Sequence, residues 1–233
     1  MDQKNMSIKT HILNASGELT PYQDSIQKTI HQTIKKVRLE IPLDKIDIVI
    51  KKADKPANLK NLNGVGGYCP SGSFVQLDID TNHPAFGKNI KNIIEKPLIH
   101  ELNHAARRQV GIEIDKRSFW ECVFSEGLAD VFVYKITGNF PKWSIEVKSN
   151  KKRLVKKLQK IANDKTTLQN YKDWFIEGSK KQKIPQWTGY ALGDEVVKNF
   201  IEKNPKRTMA SIINKPASQI VPAKKMKEYI FFN

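Results

Sequence analysis

The sequence predicts an α+β fold, a small N-terminal sheet followed by a mainly helical remainder. Two observations predict it: short segments of apolar–polar alternation come first, and helical spacing takes over from about Asn89. The 233 residues are 39% hydrophobic, enough to bury a core. One domain over residues 1–233 is expected, with an upper lobe at about 1–110 that carries the sheet and a helical lower lobe at about 111–233.

Ile8 to Leu13 reads as a first strand. Thr20-Pro21-Tyr22-Gln23 reads as a helix start, with Thr20 as N-cap, Pro21 at the first helical position and Gln23 completing a capping box. Tyr22, Ile26, Ile30, Ile34 and Val37 follow at helical spacing, which gives this helix one apolar face. Ile46 to Ile50 is a second strand. Asn63 to Tyr68 is a glycine-rich loop; no Gly-Lys-Ser/Thr follows and no G-x-G-x-x-G forms, so it is not a phosphate cradle. In Phe74 to Asp80, Val75, Leu77 and Ile79 alternate with polar residues, the pattern of a half-buried strand. Helices follow, interrupted near Gly111, Gly138 to Pro141, Gly178 to Pro185 and Asn204-Pro205.

Two cysteines, Cys69 and Cys122, are too few for a disulfide framework or a Cys-rich zinc site. Cys122 lies in an apolar helical segment and reads as core. Forty basic residues against 24 acidic ones give a formal net charge of +16, much of it in clusters such as Lys148 to Arg153 and Lys156-Lys157. Neither an RNA-recognition signature nor helix-turn-helix grammar accompanies it, so a Lys-rich solvated surface is expected and nucleic acid is not expected as a partner. No run approaches the ~20 apolar residues of a membrane span, and the first thirty residues hold no secretory apolar region. A cytoplasmic location is expected.

His100-Glu101-Leu102-Asn103-His104 is an H-E-x-x-H. Residues four apart on a helix stack on one face, so both imidazoles can bind one ion. Glu101 projects about 100° around the helix from His100. It stands beside such an ion rather than on it, where it can take a proton from an attacking water. Leu98, Leu102 and Ala105 fall on another face and anchor the helix. Pro97 begins this helix or kinks it.

Catalytic zinc keeps three protein ligands. A Gly three residues after the second His, with a further His three beyond, would mark the metzincin pattern. Arg107 and Val110 stand at those positions, so that pattern is excluded. No His follows His104, which leaves a carboxylate or Cys122 as a downstream ligand. Ser125-Glu126-Gly127-Leu128-Ala129-Asp130 supplies the carboxylate, in an apolar helix from about Ser118 to Thr137 closed by Gly138. Glu126 and Asp130 share a face. Glu126 is the third-ligand candidate, and Asp130 the acceptor for the ring N–H of a ligating histidine, His100 first. Solvent-facing helix acids are the ordinary alternative, but acids set among Phe119, Trp120, Val123, Phe124, Val131, Phe132 and Val133 need a partner.

H-E-x-x-H followed by E-x-x-x-D resembles the gluzincin arrangement, the class that includes thermolysin. More narrowly, His100 to His104, Ser125 to Asp130 and Gly189-Tyr190-Ala191-Leu192-Gly193 look like a bacterial family of predicted Zn-dependent proteases, otherwise a domain of unknown function. The likeness runs over roughly residues 65 to 215. It implies a zincin-like fold, with the small sheet over the active-site helix, one Zn2+, and a peptide or protein substrate. A metalloendopeptidase is expected ahead of an exopeptidase. Zincins place an edge strand before the metal helix to pair with extended substrate, and Phe74 to Asp80 stands there. Thermolysin-like enzymes also use a downstream His as oxyanion donor. This chain has none, and Tyr190 is the candidate in its place, against the alternative of a core tyrosine at a helix start.

Two rival readings stay open at the level of sequence. A non-catalytic protein that binds nucleic acid or an acidic partner would explain the charge but not Glu101. A different zinc amidase, of peptide deformylase type with Cys69 as third ligand, would need an E-G-C-x-S motif that Tyr68-Cys69-Pro70-Ser71 lacks. Cys69 otherwise reads as a structural or incidental thiol, and His83 as a loop histidine.

Overall fold

Alternation in the N-terminal part builds one four-stranded sheet in the order β1-β2-β4-β3. The structure, a computed structural model, describes residues 7–112, 118–144 and 150–231; Lys148 and Ser149 of the basic cluster lie outside them. Two compact units divide the chain: Met1–Gly111 with Ile136–Gly138, and Ile112–Lys135 with Asn139–Asn233.

In the first unit, β1 (Ile8–Leu13) pairs parallel with β2 (Ile46–Lys52), and β2 pairs parallel with β4 (Phe74–Ile79). β3 (Val65–Ser71) runs antiparallel to β4 and ends the sheet, with a register shift between Tyr68 and Ser71. Ile46, Ile48 and Ile50 of β2 and Val75, Leu77 and Ile79 of β4 are buried, as their period of two requires. Two expectations are corrected here. Of the glycine-rich segment only Asn63 and Gly64 form a turn, while Val65 to Tyr68 belong to β3; and β4 is an interior strand, so the edge belongs to β3. Glycines hide a strand because they carry no side chain to alternate.

The parallel β1–β2 connection contains α1 (Gln23–Arg38), whose Ile26, Ile30, Ile34 and Val37 are buried. Its predicted cap is corrected too. A 3-10 turn at Thr20–Tyr22 precedes the helix, and no side chain caps either start. The Thr20 hydroxyl instead accepts from Asn14 Nδ2 at 2.9 Å, while Asn14 Oδ1 accepts from the Leu19 N–H. A neighbouring amide has taken the group that would have capped.

α2 (Ile90–Gln109) packs against α1, β3 and β4. Asn89 caps its start by accepting from the Asn92 N–H, so the helix begins seven residues before Pro97, which is buried inside it. Pro97 has no N–H for the carbonyl of Ile93. Leu98, Leu102 and Ala105 are fully buried and anchor α2. Its C-terminal end is fixed by Gln109, whose Nε2 donates to Gly72 O at 2.7 Å and whose Oε1 accepts from the Asp44 N–H at 3.0 Å.

The second unit is helical. α3 (Phe119–Thr137) is buried continuously from Phe119 to Val133, so it shows no apolar stripe. Ser118 Oγ accepts from the Glu121 N–H at its start, and Gly138, at φ +74°, closes it. Among the described residues five α-helices follow: α4 (Lys151–Ile161), α5 (Leu168–Tyr171), α6 (Thr188–Lys203), α7 (Met209–Ile213) and α8 (Ala217–Ile220). α5 runs directly into a π turn at Lys172–Ile176. Among the described residues no helix is long and apolar enough to cross a membrane.

Candidate metal centre

In the first unit, His100 and His104 stand one turn apart on the buried part of α2, 4% and 6% exposed. Their Nε2 atoms approach to 2.9 Å, so the two rings converge on one point. Glu101, also buried, leaves the helix beside them and lies against β3. A Cβ placed on Gly67 would stand 2.5 Å from Glu101 Oε1 and 2.6 Å from its Cγ. Gly67 is therefore the floor under this carboxylate, and no larger residue fits beneath it. Cys69, on the same strand, donates its thiol to Ser71 O at 3.2 Å. Burial, then the nearby Glu101 carboxylate, pushes this thiol well above its ordinary pKa. His83 belongs to the turn after β4, its Nδ1 accepting from the Ala85 N–H at 3.2 Å.

In the second unit, α3 carries three buried acids, Glu121, Glu126 and Asp130. Glu121 is a brace: its Oε1 accepts from Ser125 Oγ at 3.3 Å and its Oε2 from the Ala217 N–H at 2.7 Å. Asp130 Oδ1 accepts from Trp143 Nε1 at 3.1 Å. Glu126 Oε1 accepts from the Tyr171 hydroxyl at 3.4 Å. Neither Trp143 nor Tyr171 was singled out by the sequence, because each reaches α3 only through folding of distant segments. Tyr190 lies at the start of α6, its ring set edge-on to Phe175 at 5.1 Å. Burial first, then Tyr171 and the carboxylates of Glu126 and Asp130, holds its phenol well above the usual tyrosine pKa, and it is hydrogen-bonded to Tyr171. Tyr190 thus stands one hydrogen bond behind Tyr171 on the way to Glu126.

α6 meets α3 at two glycines. A Cβ on Gly127 would run into the carbonyl group of Gly193, and one on Gly193 into the Val123 carbonyl oxygen. The glycines of the Ser125–Asp130 and Gly189–Gly193 motifs are thus the two sides of one backbone contact.

One ligand atom from each of His100, His104 and Glu126 lies within 4.8 Å of the other two, and all three residues are buried. Two imidazoles and a carboxylate are the donor set of a catalytic zinc with a coordination position to spare, so these residues fit that ion. Cys69 is not part of the group. An α+β chain with such a donor set falls in the class of candidate metalloproteins. A family model described as "Predicted Zn-dependent protease (DUF2268)" matches residues 26–222, and the chain belongs to that family. No curated protein and no solved structure matches it.

Proposed function

We propose that this chain is a zinc-dependent metallopeptidase of the gluzincin kind, with His100, His104 and Glu126 as zinc ligands and Glu101 as general base. The proximity of those three buried donors, in a chain of this family, carries the reading. Bound there, zinc would supply Lewis-acid chemistry, polarising a peptide carbonyl and making a water easier to deprotonate. Glu101 takes the proton from the attacking water as its oxygen bonds to the carbonyl carbon. When the C–N bond breaks, Glu101 returns that proton to the leaving amine. Asp130, on the same helix face as Glu126, is proposed to hold the ring N–H of His100. Tyr190, whose phenol can donate, is the proposed source of an oxyanion hydrogen bond. β3 ends the sheet, and its outer edge is the proposed place for an extended peptide to add as a further strand. That mode suits cleavage within a chain, hence an endopeptidase.

The deciding experiment is metal analysis of wild type and Glu126→Ala, with a peptide-library digest of the same samples. Wild type is expected to hold one zinc and cleave; Glu126→Ala is expected to lose both properties, with activity lost equally when a chelator strips the wild type. Full zinc occupancy in Glu126→Ala would end the ligand assignment.

Gly67→Ala provides a subtler test. The added methyl evicts the Glu101 carboxylate from its place. A misplacement of about 1 Å can cost on the order of 10²-fold in rate. A loss of that size in kcat is expected with zinc content unchanged. A kcat within twofold of wild type would show that Gly67 does not set the position of Glu101.

A further inference from the structure

Hydrogen bonding around Glu126 extends beyond anything the H-E-x-x-H pattern requires. Tyr171, at the end of α5, donates to Glu126 Oε1, and its ring stacks on Phe175 at 4.9 Å and 29°. Phe175 in turn meets the edge of Tyr190. The π turn that begins at Lys172 widens the backbone just after Tyr171, the kind of distortion that re-aims side chains at functional sites. Gly189 completes the arrangement, since a Cβ there would enter the Phe175 ring. Two phenols, one behind the other, lead to a single carboxylate oxygen.

Resting on the reading of Glu126 as a zinc ligand, we propose that Tyr171 is the positioning residue of that ligand, with Tyr190 fixing Tyr171 from behind. A carboxylate whose Oε1 accepts a hydrogen bond loses rotational freedom and presents Oε2 in a defined direction. Partners of this kind contribute about 10–100-fold to metal affinity. At 3.4 Å the bond is long, so an effect near the lower end, about tenfold, is expected. Tyr171→Phe removes the donor and keeps the ring that stacks on Phe175.

The test is a competition titration of the zinc-loaded full chain against a chromophoric chelator, with melting temperatures measured at excess chelator. Tyr171→Phe is expected to release zinc about tenfold more readily than wild type at an unchanged melting temperature. Tyr190→Phe is expected to shift affinity the same way by less. Tyr171→Phe within twofold of wild type overturns the positioning role alone. So does a zinc loss matched by a lower melting temperature and not shared by Tyr190→Phe, which would make Tyr171 a packing residue. If wild type holds no zinc, or Glu126→Ala holds it as tightly, the ligand reading itself falls and this role with it.

Discussion

Glu101→Gln is expected to abolish peptide cleavage while zinc stays bound. Glutamine keeps the size of the side chain and its place against Gly67, and replaces one carboxylate oxygen by an amide nitrogen, so the group can no longer act as a base. General base catalysis is worth roughly 10²–10⁴-fold, so the residual rate is expected to fall by that factor. Zinc content separates this variant from Glu126→Ala, because Glu101 stands beside the two histidines and is not one of the three grouped donors. The measurement is single-turnover cleavage of a quenched peptide found in the library digest, on samples with matched metal content. Turnover within tenfold of wild type at full zinc occupancy would remove Glu101 as the base. A loss of zinc along with activity would place the glutamate among the ligands instead.

What could be read from the sequence follows the range of the interactions. The His100–His104 pair is local, set by one helical turn, and its convergence needed no knowledge of the rest of the chain. β2 and β4 were legible because Ile46, Ile48, Ile50, Val75, Leu77 and Ile79 write their burial into a period of two. β3 was not, because Gly66 and Gly67 carry no such record. Yet those glycines are there for a reason that is itself three-dimensional: Glu101 occupies the space a side chain on Gly67 would take, and Leu59 the space beside Gly66. Glu126 could be picked out as an acid in an apolar helix, whereas Glu121 satisfies the same criterion and braces Ser125 and Ala217. Local pattern finds buried acids; it does not say which of them joins His100 and His104 in one donor group. The predicted cap at Thr20 failed for a related reason, since Asn14 competes for the same hydroxyl from six residues away. Tyr171 and Trp143 had no sequence signal at all, as aromatic residues in polar stretches are ordinary.

Gly127→Ala and Gly193→Ala are each expected to destabilise the chain, for a reason their motifs alone do not show. Each methyl would have to occupy space held by backbone of the facing helix, Gly193 in one case and Val123 in the other, and backbone cannot rotate away as a side chain can. Separating two packed helices by part of an ångström typically costs about 1–3 kcal/mol. For a chain of this size that corresponds to a fall in Tm of roughly 2–12 °C. Gly189→Ala is the comparison, because the atoms nearest its methyl belong to the ring of Phe175, a side chain rather than backbone; it is expected to cost less. The two substitutions at the crossing share one contact, so their effects should not add. Once the first methyl has moved α6 off α3, the second finds room, and the double variant should melt above the temperature that the two single losses predict together. Thermal melts of the two single variants and the double decide it. Full additivity would mean that the glycines act independently, each through its own helix, and that the close approach of α3 and α6 is not what both residues serve. Glu126 precedes Gly127 directly, so a shift of α3 should also lower zinc affinity in the same order as it lowers Tm. The Ser125–Asp130 and Gly189–Gly193 motifs thus each need a small residue for one and the same backbone contact.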